Sequence, residues 1–157
     1  MSFYYPRQIR FHETDGAGVV YFANVLTLCH EAYEASLDAA GIELAQFFSP
    51  QGAVVPVVQG SVNFFRPMVC GDRITIAMTP SPITKPDKPL SDFEIHYRLL
   101  VGTVQASDDA AKVIARVTTR HCCINAESRR RQVLSPDLQA WLKQWGEPEV
   151  LDGSAAE

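Results

Sequence analysis

Asn24–Gly41, NVLTLCHEAYEASLDAAG, is the stretch on which the fold turns. Apolar or small residues recur at Val25, Leu28, Cys29, Ala32, Ser36, Ala39 and Ala40, the i, i+3, i+4 rhythm of a helix with one buried face. His30, Glu31, Glu34 and Asp38 fall mainly on the other faces. Asn24 is placed to cap the helix, and Gly41 to end it. The buried face is small-sided, so a sheet could approach the helix backbone closely.

Outward from this helix the chain reads mostly as strand. Phe3 to Phe11 alternates partly and is rich in aromatics. AVVPVVQGSVNFF, residues 53–65, puts Val58, Gly60, Val62 and Phe64 on one face and Gln59, Ser61 and Asn63 on the other. Pro56 and Gly60 predict a bend or bulge within it. DRITIAM (72–78), DFEIHYRLLV (92–101) and KVIARVTTRHCCI (112–124) complete the strands, with Pro-, Gly- and Asp-bearing turns between them. No β-α-β alternation supports a parallel sheet. The plan is therefore α+β, a curved antiparallel sheet wrapped around one long central helix. A short helix is predicted over 135–146, capped by Ser135 with Pro136 at its first position. Residues 147–157 are polar and read as a disordered tail. Residues 1–134 form one domain.

Composition narrows the function. The chain has 157 residues, 46% of them hydrophobic, and a formal net charge of −4. That charge argues against a nucleic-acid partner held by general electrostatics. The N-terminus lacks the pattern of a signal peptide, and no stretch is apolar for long enough to span a membrane. The four cysteines show neither zinc spacing nor a C-x-x-C pair. Reduced thiols and a cytoplasmic location are the expectation.

Immediately before the helix lies FHETDGAGVVYF, residues 11–22. Asp15 there stands at a strand-to-helix junction. Unpaired backbone N–H groups at a helix start can bind the oxygen of a polarised carbonyl while a nearby carboxylate attacks it or activates water. Such an arrangement suits acyl transfer or thioester hydrolysis and needs neither metal nor organic cofactor. Asp-Gly is also a common turn pair, so local sequence leaves a turn-only reading open.

RQIRFHETDGAGVVYFANVLTLCHEAYEASLDAAGI, together with VNFFRPMVCGDRITI, resembles the hotdog-fold acyl-CoA thioesterases of the 4-hydroxybenzoyl-CoA thioesterase type. The likeness runs from about Tyr4 to Leu134 and centres on an acid in a D-x-x-G-x-V-x-aromatic segment entering the helix. TDGAGVVYF, CHEAYE and CGDR are most similar to the 1,4-dihydroxy-2-naphthoyl-CoA hydrolase group of phylloquinone (vitamin K1) biosynthesis. The resemblance implies a single hotdog domain, assembled as a homodimer or homotetramer with interfacial active sites. It implies Asp15 as nucleophile or general base, and the backbone N–H of Phe22, or of its neighbour Ala23, as the group polarising the thioester. Gly18 would keep the carbonyl's approach open. Tyr21, Phe22, Phe47, Phe48 and Phe64 are the aromatic candidates to enclose a flat acyl group, with core packing the commoner use of such side chains. Arg129, Arg130, Arg131, Lys85 and Lys88 would meet the coenzyme A phosphates, or simply form a solvated charged face. Coenzyme A enters as part of the substrate.

Other readings stay in view. Glu31 is a rival carboxylate, better suited to polar support or an interface. Glu13 sits beside Asp15, and a strand continued to that point would put both on one side. At the level of function, a 4-hydroxybenzoyl-CoA or short-chain thioesterase is the alternative enzyme, and a non-catalytic acyl-CoA-binding protein the alternative class. A dehydratase would want a histidine near the helix start, and residues 15–24 hold none. Gln59 stands where that hydrolase group leads one to expect a histidine.

Overall fold

The computed structural model describes residues 1–106, 108 and 110–147. Five strands form one sheet: β1 (Phe3–Gln8), β3 (Val57–Phe64), β4 (Arg73–Ile83), β5 (Asp92–Val101) and β6 (Val113–Cys122). Their order is β1-β4-β5-β6-β3, with every neighbouring pair antiparallel. Short β2 (Ala53–Val54) and β7 (Ile124–Asn125) pair separately. Helix α1 (Phe22–Ala39) fills the sheet's concave face, α2 (Leu44–Phe47) follows it, and α3 (Pro136–Trp145) closes one end.

The helix begins earlier than its capping pattern predicts. Tyr21, not Asn24, is the N-cap, because its carbonyl accepts the Asn24 N–H at 2.9 Å and its own N–H is taken by the Glu13 carbonyl. At the other end Gly41 has φ +77°, and the N–H groups of Gly41 and Ile42 return to the carbonyls of Asp38 and Leu37. These are the two bonds of a Schellman stop. The buried face comprises Val25, Leu28, Cys29, Ala32, Tyr33, Ser36 and Leu37. Ala39 is exposed and Ala40 half-buried, so the predicted stripe turns away one residue too late.

Cys29, Ala32 and Ser36 let the sheet come close, and Ser36 also joins α3 to the core. Its hydroxyl donates to the Tyr33 carbonyl at 2.6 Å and accepts from Trp141 Nε1 at 3.0 Å. Leu138, Trp141 and Leu142 of α3 are buried in the same core. The Ser135 hydroxyl caps α3 through the Leu138 N–H, with Pro136 in its first turn. Of the tail over 147–157, residues 148–157 lie outside the described residues.

The strand boundaries of β1 and β4 differ from the sequence reading. β1 ends at Gln8, and Phe11–Glu13 form a single 3-10 turn instead of extending the strand. Glu13 and Asp15 therefore do not share a strand face: Glu13 is buried and Asp15 exposed. β4 runs on through Pro80 and Pro82 to Ile83. Its pairing with β1 stops at Met78, so beyond that point β4 is an edge and the missing proline N–H groups forfeit no ladder bond. In β3 the register slips between Val57 and Gln59, the bulge that Pro56 and Gly60 predict.

His121 lies inside the sheet, 1% exposed and stacked on Phe93 with ring centroids 4.7 Å apart. Burial, and secondarily His30, lower its pKa from 6.5 to about 4. The folded state thus binds this proton less readily than the unfolded chain. Stability from this group is fully present above pH 6.5 and is lost as pH falls toward 4, by an amount on the order of 3 kcal/mol. Urea unfolding between pH 7.5 and 4.5 should show that decline, and His121→Gln should flatten it.

Candidate active site

Residues 14–20 form a tight excursion between the 3-10 turn and α1. The Asp15 N–H donates to the Val19 carbonyl at 2.9 Å, and the Gly18 N–H returns to the Asp15 carbonyl at 3.0 Å. Asp15 Oδ1 accepts from the Ala17 N–H at 2.8 Å. The Val20 N–H bonds the Met68 carbonyl at 2.8 Å, tying the excursion to the segment after β3. Gly18 has φ +77°, and a Cβ added there would meet open space. Its glycine is thus required by backbone conformation.

Asp15, Tyr21, Phe22 and Phe64 line one depression of about 470 Å³, together with Val19, Val20, Phe65, Arg66, Pro67 and Met68. Phe22 is the first residue of an 18-residue helix. Neither its N–H nor that of Ala23 meets an acceptor among the described residues. The mouth therefore holds an exposed carboxylate, free N–H donors at the positive end of a helix dipole, and an aromatic wall. Tyr21 and Phe22 pack edge to face at 4.9 Å, and Phe22 is 62% exposed.

Arg66 is the residue here that sequence reading missed. It is exposed and has no acidic partner among the described residues. The available signal was its place directly after two aromatics and before Pro67, which restricts its backbone to extended conformations.

Phe47 and Phe48 do not join this depression. They pack against each other and against Tyr33, eleven residues along α1 from Phe22, roughly 16 Å away along the helix axis. Within one chain they cannot wall the same acyl group as Phe22.

Two of the five predicted basic residues, Lys85 and Arg131, meet at a buried acid that the sequence did not single out. Asp92, 1% exposed, pairs with Arg131, with Lys85 at 3.2 Å and with Arg120 at 3.5 Å. Burial would raise its carboxyl, but hydrogen bonds from Ser91, Arg131 and Lys85 hold it well below the usual carboxylate range. Three cations on one carboxylate leave a local positive excess. Arg129 and Arg130 project from a turn in which the Asn125 side chain accepts from the N–H groups of Glu127 and Ser128. Arg129, Arg130 and Lys88 are exposed and unpaired among the described residues. Asp92 pairs with Cys122 at one end of β6, whereas Phe64 pairs with Ala115 at the other. Seven residues of strand, about 23 Å, separate these two levels.

Glu31 does not face the depression; it bonds Arg7, the supporting role expected of it. All four cysteines are unbridged. Among the described residues no group of three His, Cys, Asp or Glu side chains is placed to hold a metal ion, and no helix is long and apolar enough to cross a membrane.

The thioesterase-like superfamily matches the chain over residues 9–142. The chain belongs to that superfamily. It is 47% identical over 142 residues to the 1,4-dihydroxy-2-naphthoyl-CoA hydrolase of Trichodesmium erythraeum, covering 90% of this chain and 96% of the relative. With the hydrolase of the same name from Nostoc punctiforme it shares 46% over 143 residues, 91% of this chain and 88% of the relative. The crystal structure of a 1,4-dihydroxy-2-naphthoyl-CoA thioesterase from Synechocystis superposes with a TM-score of 0.77 at 34% identity, covering 90% of this chain and 96% of that one. The fold is the hotdog fold.

Because Gly18 is held at positive φ, Gly18→Ala should destabilise the superfamily member's loop by about 1–2 kcal/mol, the usual cost of a left-handed residue with a Cβ. Thermal melts and turnover of the variant check this, and an unchanged melting temperature would show that the loop relaxes freely.

Proposed function

We propose that this thioesterase-superfamily chain hydrolyses 1,4-dihydroxy-2-naphthoyl-CoA to 1,4-dihydroxy-2-naphthoate and coenzyme A, a step of phylloquinone biosynthesis in the cytoplasm. Relatives bearing that hydrolase name match it at 36–47% identity over some nine-tenths of its length. The observation that carries the chemistry is the exposed Asp15 carboxylate beside the free Phe22 N–H in one aromatic-walled depression.

In this reading the thioester oxygen accepts from the Phe22 N–H, which stabilises the oxyanion that develops as the carbonyl carbon becomes tetrahedral. Asp15 then follows one of two routes. As a nucleophile it forms a mixed anhydride, expels the coenzyme A thiolate, and is released by water. As a general base it takes a proton from the water that attacks directly. Both routes consume one water and yield the acid and free thiol, and neither draws on a cofactor.

The long coenzyme A moiety carries its phosphates to the basic group of Lys85, Lys88 and Arg129–Arg131. An exposed sheet edge on which a second copy of the chain can pair supports this assignment. β3 is a sheet edge, paired on one side only and exposed along most of its length. Two such edges joined antiparallel about a two-fold axis lay the Val57 end of one beside the Phe64 end of the other. That brings the basic group and the Phe47–Phe48 pair of one subunit toward the Asp15 depression of its partner. A homodimer, or a homotetramer built from it, is the proposed working form.

Asp15→Asn should lower kcat on the order of 10²-fold or more while leaving the fold intact. Thiol release from dihydroxynaphthoyl-, hydroxybenzoyl-, benzoyl- and aliphatic-CoA esters tests both parts. Preference for another ester would move the substrate and leave the chemistry standing. Binding with no turnover of any ester would favour a non-catalytic acyl-CoA-binding protein.

The phosphate assignment has its own check. Arg130→Ala should raise KM roughly five- to tenfold for a coenzyme A ester, the equivalent of about 1 kcal/mol. The same variant should behave like wild type on the corresponding pantetheine ester, which lacks the nucleotide. An equal effect on both esters would remove Arg130 from the phosphate site.

A further inference from the structure

We propose that Arg7, Glu13 and Glu31 are positioning residues that clamp the Asp15 excursion at its base, so that the carboxylate and the Phe22 N–H face one depression. This inference rests on the catalytic reading of Asp15 and assigns work to a second carboxylate two residues away.

Arg7 lies on β1, with its side chain 12% exposed. Its guanidinium is shared between two acids from different elements. Nη1 donates to Glu13 Oε2 at 2.7 Å and Nη2 to Glu13 Oε1, a two-pronged pairing. Nε donates to Glu31 Oε2, and Nη2 also reaches Glu31 Oε1 at 3.0 Å. The remaining capacity of Nη1 goes to the Gln8 carbonyl at 3.2 Å. A planar fork used in this way fixes position and orientation together. It joins the first strand, the 3-10 turn and the middle of α1 at one point.

Glu13 carries that fixity to the site. Its carboxylate accepts a further bond from the Arg10 N–H at 2.8 Å. Its backbone carbonyl accepts two more, from the Tyr21 N–H at 2.9 Å and from Asn24 Nδ2 at 2.8 Å. The side chain thus holds the sheet and the carbonyl holds the helix start. Residues 14–20 are the loop between those two grips. Asp15 lies two residues from one grip, and Phe22 one residue from the other.

This arrangement also explains why Glu13 is not the reacting carboxylate. Its oxygens are occupied by Arg7 and the Arg10 N–H, and it is only 5% exposed. Burial would raise its pKa, but the Arg7 and Arg10 bonds outweigh burial and lower it. Glu13 therefore stays charged at neutral pH. Replacing it strands the Arg7 charge against Glu31 alone and frees the loop.

Displacing a reacting group by about 1 Å can cost on the order of 10²-fold in rate. The test combines steady-state kinetics on dihydroxynaphthoyl-CoA with hydrogen–deuterium exchange over residues 14–22, in wild type, Glu13→Gln, Arg7→Lys, Asn24→Ala and Asp15→Asn. Folded Glu13→Gln should lose roughly 10- to 100-fold in kcat with KM changed by no more than about threefold, and exchange in 14–22 should quicken while β4–β6 stay protected. Arg7→Lys, which keeps the charge and loses the fork, should fall in between. Asn24→Ala leaves every charge in place and removes one bond to the Glu13 carbonyl, so it should show a smaller loss of the same kind. Should Glu13→Gln not fold, Arg7→Lys and Asn24→Ala decide the matter by the same two readouts.

Wild-type kcat in these variants, or a loss of kcat with unchanged exchange in 14–22, would overturn the positioning role. Full turnover by Asp15→Asn would instead sink the catalytic reading of Asp15. The exchange rates would still show whether the network holds the loop.

Discussion

Everything in this chain hangs on the close approach of helix α1 to the concave sheet. Cys29, Ala32 and Ser36 keep the contact face shallow, and Val25, Leu28, Tyr33 and Leu37 fill the space to either side. Close packing makes such a contact intolerant of added volume. It also sets where each end of the helix emerges. The N-terminal end comes out beside the residues that follow β3, so Phe22 and Asp15 meet Phe64–Met68. The C-terminal end comes out beside α2 and α3, where Tyr33 gathers Phe47, Phe48 and Trp141.

A rigid core of this kind divides the functional groups instead of assembling them in one place. The Asp15 depression and the Asp92 basic group occupy opposite ends of the β3–β6 pair. Neither end can bend toward the other without breaking the antiparallel ladder. Along the β3 edge that runs between these two ends, Val57, Val58 and Phe64 are each more than 40% exposed. An edge of this length left bare would be a hazard for aggregation.

Three carboxylates illustrate how burial sorts charge. Asp92 and Glu13 are almost wholly enclosed, and each is matched by arginine and by further hydrogen-bond donors. An unmatched carboxylate in either place would be strongly destabilising. Asp15 is exposed, takes one bond from the Ala17 N–H, and has no cation partner among the described residues. It can therefore face a substrate at little cost to the fold.

Much of this was legible in the amino-acid sequence because it is local. The rhythm from Val25 to Ser36 marks the helix, the Schellman glycine Gly41 marks its end, and Ser135-Pro136 marks the start of α3. Pro56 and Gly60 mark the bulge, and the D-x-x-G-x-V-x-aromatic segment marks the superfamily and Asp15. Each depends on backbone geometry within a few residues. What only the tertiary structure decided depends on partners far apart in the chain. Glu13 draws its meaning from Arg7 and Glu31, Lys85 and Arg131 from Asp92, and the extension of β4 through Pro80 and Pro82 from the point where β1 stops. Arg66 joins the depression, and Phe47 and Phe48 leave it, because the packing of α1 fixes which end of the sheet each one reaches. Ion pairing and enclosure are properties of distances in space, and no residue pattern along the chain encodes them.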